Sequence, residues 1–246
     1  MNGKVFWLSI TAVVASFICG FLLANALNRT ELNALRAERD GGLKNSSTNA
    51  KQNESELTLS DEEVREKIAE ADRNPANYAF QKNLGLALYR YAAMRQDSKM
   101  LAEVGRLLSR AYENNPQDRD VAITLGNVYF DIGYFQKDNS QFQKARGFYQ
   151  KALEQKQDDA DVRTDLGLTY FLIDPPENEQ AIIELQKSLQ INPKHEKTLE
   201  VLTQIMISQN KIAEAEKLIG KLKEANPNNR TIPGLDSQVL KLKNNS

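Results

Sequence analysis

Apolar positions from Ala76 to Asn228 follow the helical period, and they do so in repeating units. Leu84-Gly85, Leu125-Gly126 and Leu166-Gly167 recur at intervals of 41 residues, and each pair opens a similar apolar pattern. The first unit continues with Leu88 and then Val104, Leu108 and Ala111; the second with Tyr129 and then Ala145, Tyr149 and Ala152. The third runs through Tyr170 to Ala181, Leu185 and Ser188; the fourth, Leu202-Thr203, through Met206 to Ala215, Ile219 and Leu222. Asn-Pro closes three of the units (Pro116, Pro193 and Pro227), and Gln157 stands where the second would carry its proline. This pattern predicts four pairs of helices. Within a pair, Leu and the residue four later share a face, and the glycine removes a side chain where the partner helix must approach. Asn-Pro stops the second helix and turns the chain into the next unit. A period of this length with helical patterning predicts an all-α solenoid, each unit stabilised by stacking on its neighbour.

The flanks complete the architecture. Ser60 with Glu63 three positions on reads as a capping box, Leu59 and Val64 as a hydrophobic staple, and a leading helix follows from about Asp61 to Asp72. Beyond the repeats, Ile232 to Lys243, starting after Pro233-Gly234, reads as a terminal capping helix with a polar outer face of Asp236, Gln238 and Lys241. The expected organisation is a head (1–4), an apolar segment (5–27), a juxtamembrane helix and linker (28–59), a leading helix (60–75), the repeats (76–228), and the capping helix with its tail (229–246).

From Val5 to Leu27 no charged residue interrupts the chain, and 23 residues of helix reach roughly 35 Å, enough for a hydrocarbon core of about 30 Å. An uncleaved single-pass anchor is the favoured reading; a cleaved signal ending at Ala24-Asn25-Ala26 is the rival. Cys19 follows Ile18, where a lipid-modification box wants a small residue, so a lipoprotein is not indicated. Arg29, Arg36, Arg39 and Lys44 against Lys4 argue for a cytoplasmic C-terminal side, whereas a four-residue head before an anchor usually stays inside. An extracytoplasmic domain is the reading adopted. Ala12, Ser16, Gly20 and Ala24 make a stripe of small residues that could pair two such helices into a homodimer, or reflect no more than the composition of membrane helices. Gly41 to Ser55 is rich in Gly, Ser and Asn and reads as a tether. The Asn-x-Ser/Thr triplets at Asn28, Asn45, Asn53 and Asn229 matter only in a eukaryotic secretory pathway.

Composition narrows the function classes. With 32 basic and 33 acidic residues interleaved, nothing points to nucleic acid. One cysteine leaves no intrachain disulfide. His195, the sole histidine, follows Asn192-Pro193 at a helix start, where exposure is the default, and no nucleophile motif surrounds it. Asp158, Asp159 and Asp161 read as helix-capping acids. No phosphate-binding or dinucleotide motif appears, and the expectation is a protein that is no enzyme and carries no cofactor.

The repeat pattern resembles the tetratricopeptide repeats (TPRs): Leu84-Gly85, Leu125-Gly126 with Tyr129, and Leu166-Gly167 with Tyr170 on each first helix (A). Small residues such as Ala145, Ala152, Ala181 and Ala215 on each second helix (B), with Pro193 and Pro227 closing, complete it. The first two units exceed the family's 34 residues by seven, about two turns, which predicts A and B helices each longer by one turn. The third carries extra residues at Asp174-Pro175-Pro176. The resemblance implies a concave face lined by A helices that holds a protein or peptide partner. It would place Lys82, Leu86, Tyr89, Asn127, Phe130, Leu168 and Phe171 there, with Tyr89, Phe130 and Phe171 as an aromatic ladder; the same aromatics could instead fill contacts between helices. It argues against acidic chaperone tails, because Leu86 stands where that class has Asn, and Asp161 and Asp165 replace basic residues. The overall reading is a membrane-tethered scaffold. The narrower alternative is an assembly factor that holds client polypeptides, similar to the membrane-anchored TPR modules of cytochrome c maturation.

Overall fold

The computed structural model describes residues 60–244. Over these residues the chain forms ten α-helices and no strand. They are α1 (Asp61–Arg73), α2 (Tyr78–Arg95), α3 (Ser98–Asn114), α4 (Arg119–Gln136), α5 (Asn139–Gln155), α6 (Ala160–Leu172), α7 (Asn178–Ile191), α8 (Glu196–Ser208), α9 (Ile212–Ala225) and α10 (Ile232–Asn244). Among the described residues no helix is long and apolar enough to cross a membrane. The expected membrane span, its small-residue stripe and the tether fall in 1–59, outside the described residues.

Local chemistry sets most helix starts. Ser60 and Glu63 close the expected capping box: the Glu63 N–H donates to Ser60 Oγ at 3.2 Å and the Ser60 N–H to Glu63 Oε2 at 2.7 Å. Those bonds hold the Glu63 carboxyl below its ordinary range. Asn77, Asp97, Asp118, Asp138 and Asp159 each accept a backbone N–H from the first turn of the helix they precede. Asn115, Asn192 and Asn226 end α3, α7 and α9 just before a proline; Lys156 ends α5 without one.

The A-to-B turns are built alike in three repeats. Gln96, Lys137 and Asn210 adopt left-handed backbone (φ 53°, 54° and 56°). The next N–H then bonds a carbonyl five residues back, Asp97 to Ala92, Asp138 to Gly133 and Lys211 to Met206, at 2.8–3.0 Å. The third repeat lacks this closure. Its loop from Ile173 to Glu177 instead lies against the lengthened part of the second repeat: Asn139 Nδ2 donates to the Asp174 carbonyl at 2.7 Å, and the Asp174 N–H returns a bond to Asn139 Oδ1 at 3.2 Å. Ile173 is buried there.

Helix lengths follow the seven-residue excess. α2 and α4 have 18 residues and α3 and α5 have 17, whereas α6 and α8 have 13 and α7 and α9 have 14. The surplus is therefore shared between A and B, roughly a turn each, as expected.

Glycine sets the A–B contact within a pair. A Cβ on Gly85 would come within 2.6 Å of Leu108, one on Gly126 within 2.5 Å of Tyr149, and one on Gly167 within 2.9 Å of Leu185. In each case the opposing side chain is the middle residue of that repeat's three recurring B-helix positions, all buried. Thr203 occupies this position in the fourth repeat, fully buried, its hydroxyl donating to the Leu199 carbonyl at 2.7 Å. Ala111, Ala145, Ala152, Ala181 and Ala215 are likewise fully buried. Successive pairs then stack in chain order, each A helix touching the next. The core is two adjoining apolar clusters, one centred on α1 to α4 and one reaching from α4 to α10, with Tyr112 and Tyr129 packed against both. α10 closes the C-terminal end through buried Ile232, Leu235 and Val239. Its first turn includes Pro233 and Gly234, and Gln238 is half-buried and bonded to Gln204 at 3.0 Å, so that residue belongs to a contact rather than to the polar outer face.

Candidate ligand-binding face

Helices α2, α4, α6 and α8 lie side by side and form one face. Its polar residues are organised by the repeat. At each joint, the residue just before the next A helix is gripped by the first turns of the preceding one, one repeat length away. Asp118 accepts from both Lys82 and Tyr78, while its other oxygen caps Val121 at 3.0 Å. Asp159 accepts from Arg119 at 2.6 Å and caps Val162 at 2.9 Å. His195 lies 3.1 Å from Asp161. Asn229, before α10, donates to Glu196 and Glu200 at 2.7 Å each. Burial pushes the Asp118 carboxyl up, but Lys82, Tyr78 and the Val121 N–H together outweigh it and hold it below the usual range. Burial likewise pulls the Lys82 ammonium down, and Asp118 with Tyr78 carries it above its ordinary value.

The residues expected to line a groove separate into two groups. Phe130 is only 4% exposed and meets Phe142 edge-on, with ring centroids 5.5 Å apart. Leu168 is in the same cluster, and buried Asn127 accepts the Tyr149 hydroxyl proton at 2.9 Å. These three are built into the packing of the second and third repeats. Leu86, Tyr89 and Phe171 are half-buried, packed against the core on one side. The Tyr89 hydroxyl donates to Asp131 at 2.9 Å, and Lys82 is engaged with Asp118.

Two charged expectations need correction. Asp165 is buried and bonded to Lys197 at 2.5 Å, so it presents no bare carboxylate to a ligand. His195 is not an exposed polar residue: its side chain is 15% exposed and touches Asp161 and Thr198. Neither contact could be read from the chain, because each joins side chains of two different repeats. Asp159 and Asp161 do sit at a helix start, as expected. Among the described residues no group of three or more His, Cys, Asp or Glu could hold a metal ion.

One buried acid carried no signal in the sequence. Glu200 is buried on α8; desolvation, the largest influence, raises its carboxyl above the ordinary range, and bonds from Asn229 and Thr231 only partly oppose it. The folded state therefore holds this proton more tightly than the unfolded chain, and the contribution to stability falls as pH rises above the usual glutamate range. Asp118 acts in the opposite sense and at lower pH, where its protonation weakens the fold. Glu200→Gln is expected to melt above the parent at about pH 8, with the difference shrinking towards about pH 5. Thermal melts of both proteins across that interval check it; a constant difference would contradict it.

No family model and no curated protein matches this sequence. Solved structures do. MamA is 19% identical over 67% of this chain and 87% of its own, with a TM-score of 0.54. YrrB, described as a TPR protein with an unusual peptide-binding site, is 13% identical over 74% of this chain and 82% of its own, also at 0.54. TTC0263, a thermophilic TPR protein of Thermus thermophilus, is 15% identical over 72% of this chain and 97% of its own, again at 0.54. The chain has a TPR-like fold. At these identities the likeness concerns architecture, and the TPR-like frame is what places α2, α4, α6 and α8 on a common face.

Proposed function

We propose that this chain is a membrane-tethered TPR-like scaffold whose A-helix face holds a protein or peptide partner. The observation that carries the reading is the combination of that fold with Leu86, Tyr89 and Phe171, large side chains on the A helices that pack against the core on one side and are left half-buried. A partner segment covering them would complete their burial, at about 25 cal/mol per Å² of apolar surface. YrrB's description as a TPR protein with a peptide-binding site supports the same use of the fold. The tether rests on sequence alone: Val5 to Leu27 is long and apolar enough to anchor the chain, and the adopted orientation puts the repeats outside the cytoplasm. Pairing of two anchors through Ala12, Ser16, Gly20 and Ala24 belongs to the same reading. The narrower version, a factor that holds unfolded clients, predicts preference for extended apolar peptides over folded proteins.

Photo-crosslinkers placed at Leu86 and Phe171 in the full chain in membranes, followed by mass spectrometry, test this. The expected result is one recurrent partner captured from both positions and lost when Tyr89 is replaced by alanine. Capture equal to that from a crosslinker at exposed Lys221 on α9 would remove the reading. An apocytochrome peptide competing for capture, with its scrambled version inert, would select the client-holding version.

A further inference from the structure

The joint between the third and fourth repeats is chemically unlike the two before it. At those, a carboxylate stands before the next A helix and a cation holds it; here the residue is His195, the one histidine of the chain. Its Nε2 lies 3.1 Å from Asp161 Oδ1 on α6, and its Nδ1 lies 2.7 Å from Thr198 Oγ1 on α8. Behind Thr198 is a buried cluster of hydroxyls. Thr164, Ser188 and Thr198 are fully buried, and they bring α6, α7 and α8 to one point. Thr198 Oγ1 is 2.6 Å from Thr164 Oγ1 and 2.8 Å from Ser188 Oγ, and those two are 3.0 Å apart. Thr164 and Ser188 both reach the Ala160 carbonyl, at 2.7 and 2.9 Å.

The protons in this cluster can be counted. A carbonyl only accepts, so Thr164 and Ser188 direct their protons to Ala160. Thr198 then has a single proton for three close neighbours: Thr164, Ser188 and the imidazole. Asp161 also only accepts, which puts a proton on Nε2. In a neutral ring Nδ1 is therefore an acceptor and takes the Thr198 proton, so a hydrogen bond across the 2.6 Å contact between Thr198 and Thr164 then costs Thr164 its bond to the Ala160 carbonyl. With a proton on Nδ1 as well, the ring donates to Thr198 and Thr198 donates to Thr164. The charged ring also faces a carboxylate.

We propose that His195 makes this joint a proton-operated clamp, which binds α8 more firmly to α6 and α7 when the ring is charged and loosens the fourth repeat when it is neutral. The other charges around it, Lys194 apart, are already engaged. On α6, Asp165 is bonded to Lys197, and Arg163 to Glu184 and the Gln157 carbonyl. On α7, Lys187 is bonded to Glu184, and Ser188 is the group that faces the ring's cluster. On the histidine's own segment, Glu196 accepts from Asn226 and Asn229, and Lys194 is exposed. Asp161 is thus the carboxylate in contact with the ring, and Thr198 the hydroxyl that reads its charge.

Thermal melts of the full chain test the clamp, in a Glu200→Gln background that removes the other acid-linked contribution on α8. Between about pH 8 and 5.5, the interval in which histidine changes charge, the Glu200→Gln protein should gain about 2–4 °C more than Glu200→Gln with His195→Gln. Equal gains would overturn the proposal. A second measurement does not depend on the variant folding: with the ring nitrogens labelled, the methyl signals of Thr164 and Thr198 should shift with the same midpoint as the single histidine. Methyl signals that stay fixed while the ring changes charge would overturn it too.

Discussion

Replacing Gly126 by alanine is expected to destabilise the protein by about 2–3 kcal/mol, although the same change stabilises most helices. In an open helix, Gly→Ala gains up to about 1 kcal/mol through backbone entropy. Gly126 cannot take that gain. A Cβ there would sit 2.5 and 2.6 Å from Tyr149 Cε1 and Cδ1, and a ring edge so close must move. Tyr149 is 1% exposed and its hydroxyl is bonded to buried Asn127, so moving the ring opens that bond and leaves a polar atom unpaired. Gly147 on α5 provides the control, since a Cβ added there meets nothing within 4 Å. Gly147→Ala should therefore raise the melting temperature slightly while Gly126→Ala lowers it by several degrees. A double-mutant cycle with Tyr149→Ala locates the cause: the penalty at Gly126 should largely vanish once the ring is gone. If Gly126→Ala melted like Gly147→Ala, close approach at this glycine would not be what holds α4 to α5.

That contact was legible in the sequence because it is local and periodic. Gly85, Gly126 and Gly167 recur at a fixed interval, and the residue each one faces lies within the same repeat. Helix ends were legible for the same reason: Ser60 and Asp159 act on the turn that follows them, and Asn192 and Asn226 on the turn before. The insertion at Asp174 was visible as extra length, but its use was not, since Asn139, its partner, lies 35 residues away in another repeat. The binding face was the least legible part. Position along an A helix gives the side on which a residue stands, yet whether that side is open depends on how tightly the next repeat closes over it. Lys82 meets Asp118, Asp161 meets His195 and Asp165 meets Lys197, each across a joint. Pairings of this kind follow from the stacking geometry, and an i to i+4 pattern within one helix carries no record of them.

Phe130 and Phe171 occupy matching positions in successive repeats and should respond to alanine in different ways. Phe130→Ala is expected to cost about 3–5 kcal/mol, a fall in melting temperature on the order of 10 °C. Its ring is enclosed among residues of the larger apolar cluster and meets Phe142 edge-on, so truncation leaves a cavity that α4 and α5 cannot close without parting. Phe171 lies in the last turn of the short helix α6, packed against the cluster but open on one side. Truncating it removes contacts without enclosing a void, and the cost should stay near 1–2 kcal/mol. Partner capture separates the two roles. Phe171→Ala should keep most of its stability and lose most of its crosslinked partner, whereas Phe130→Ala, measured well below its lowered melting point, should capture the partner normally. If Phe171→Ala fell as far in melting temperature as Phe130→Ala and captured its partner undiminished, Phe171 would be core as well. The half-buried side chains on the A helices would then be the margin of the packing, and the partner would have to be sought on another face.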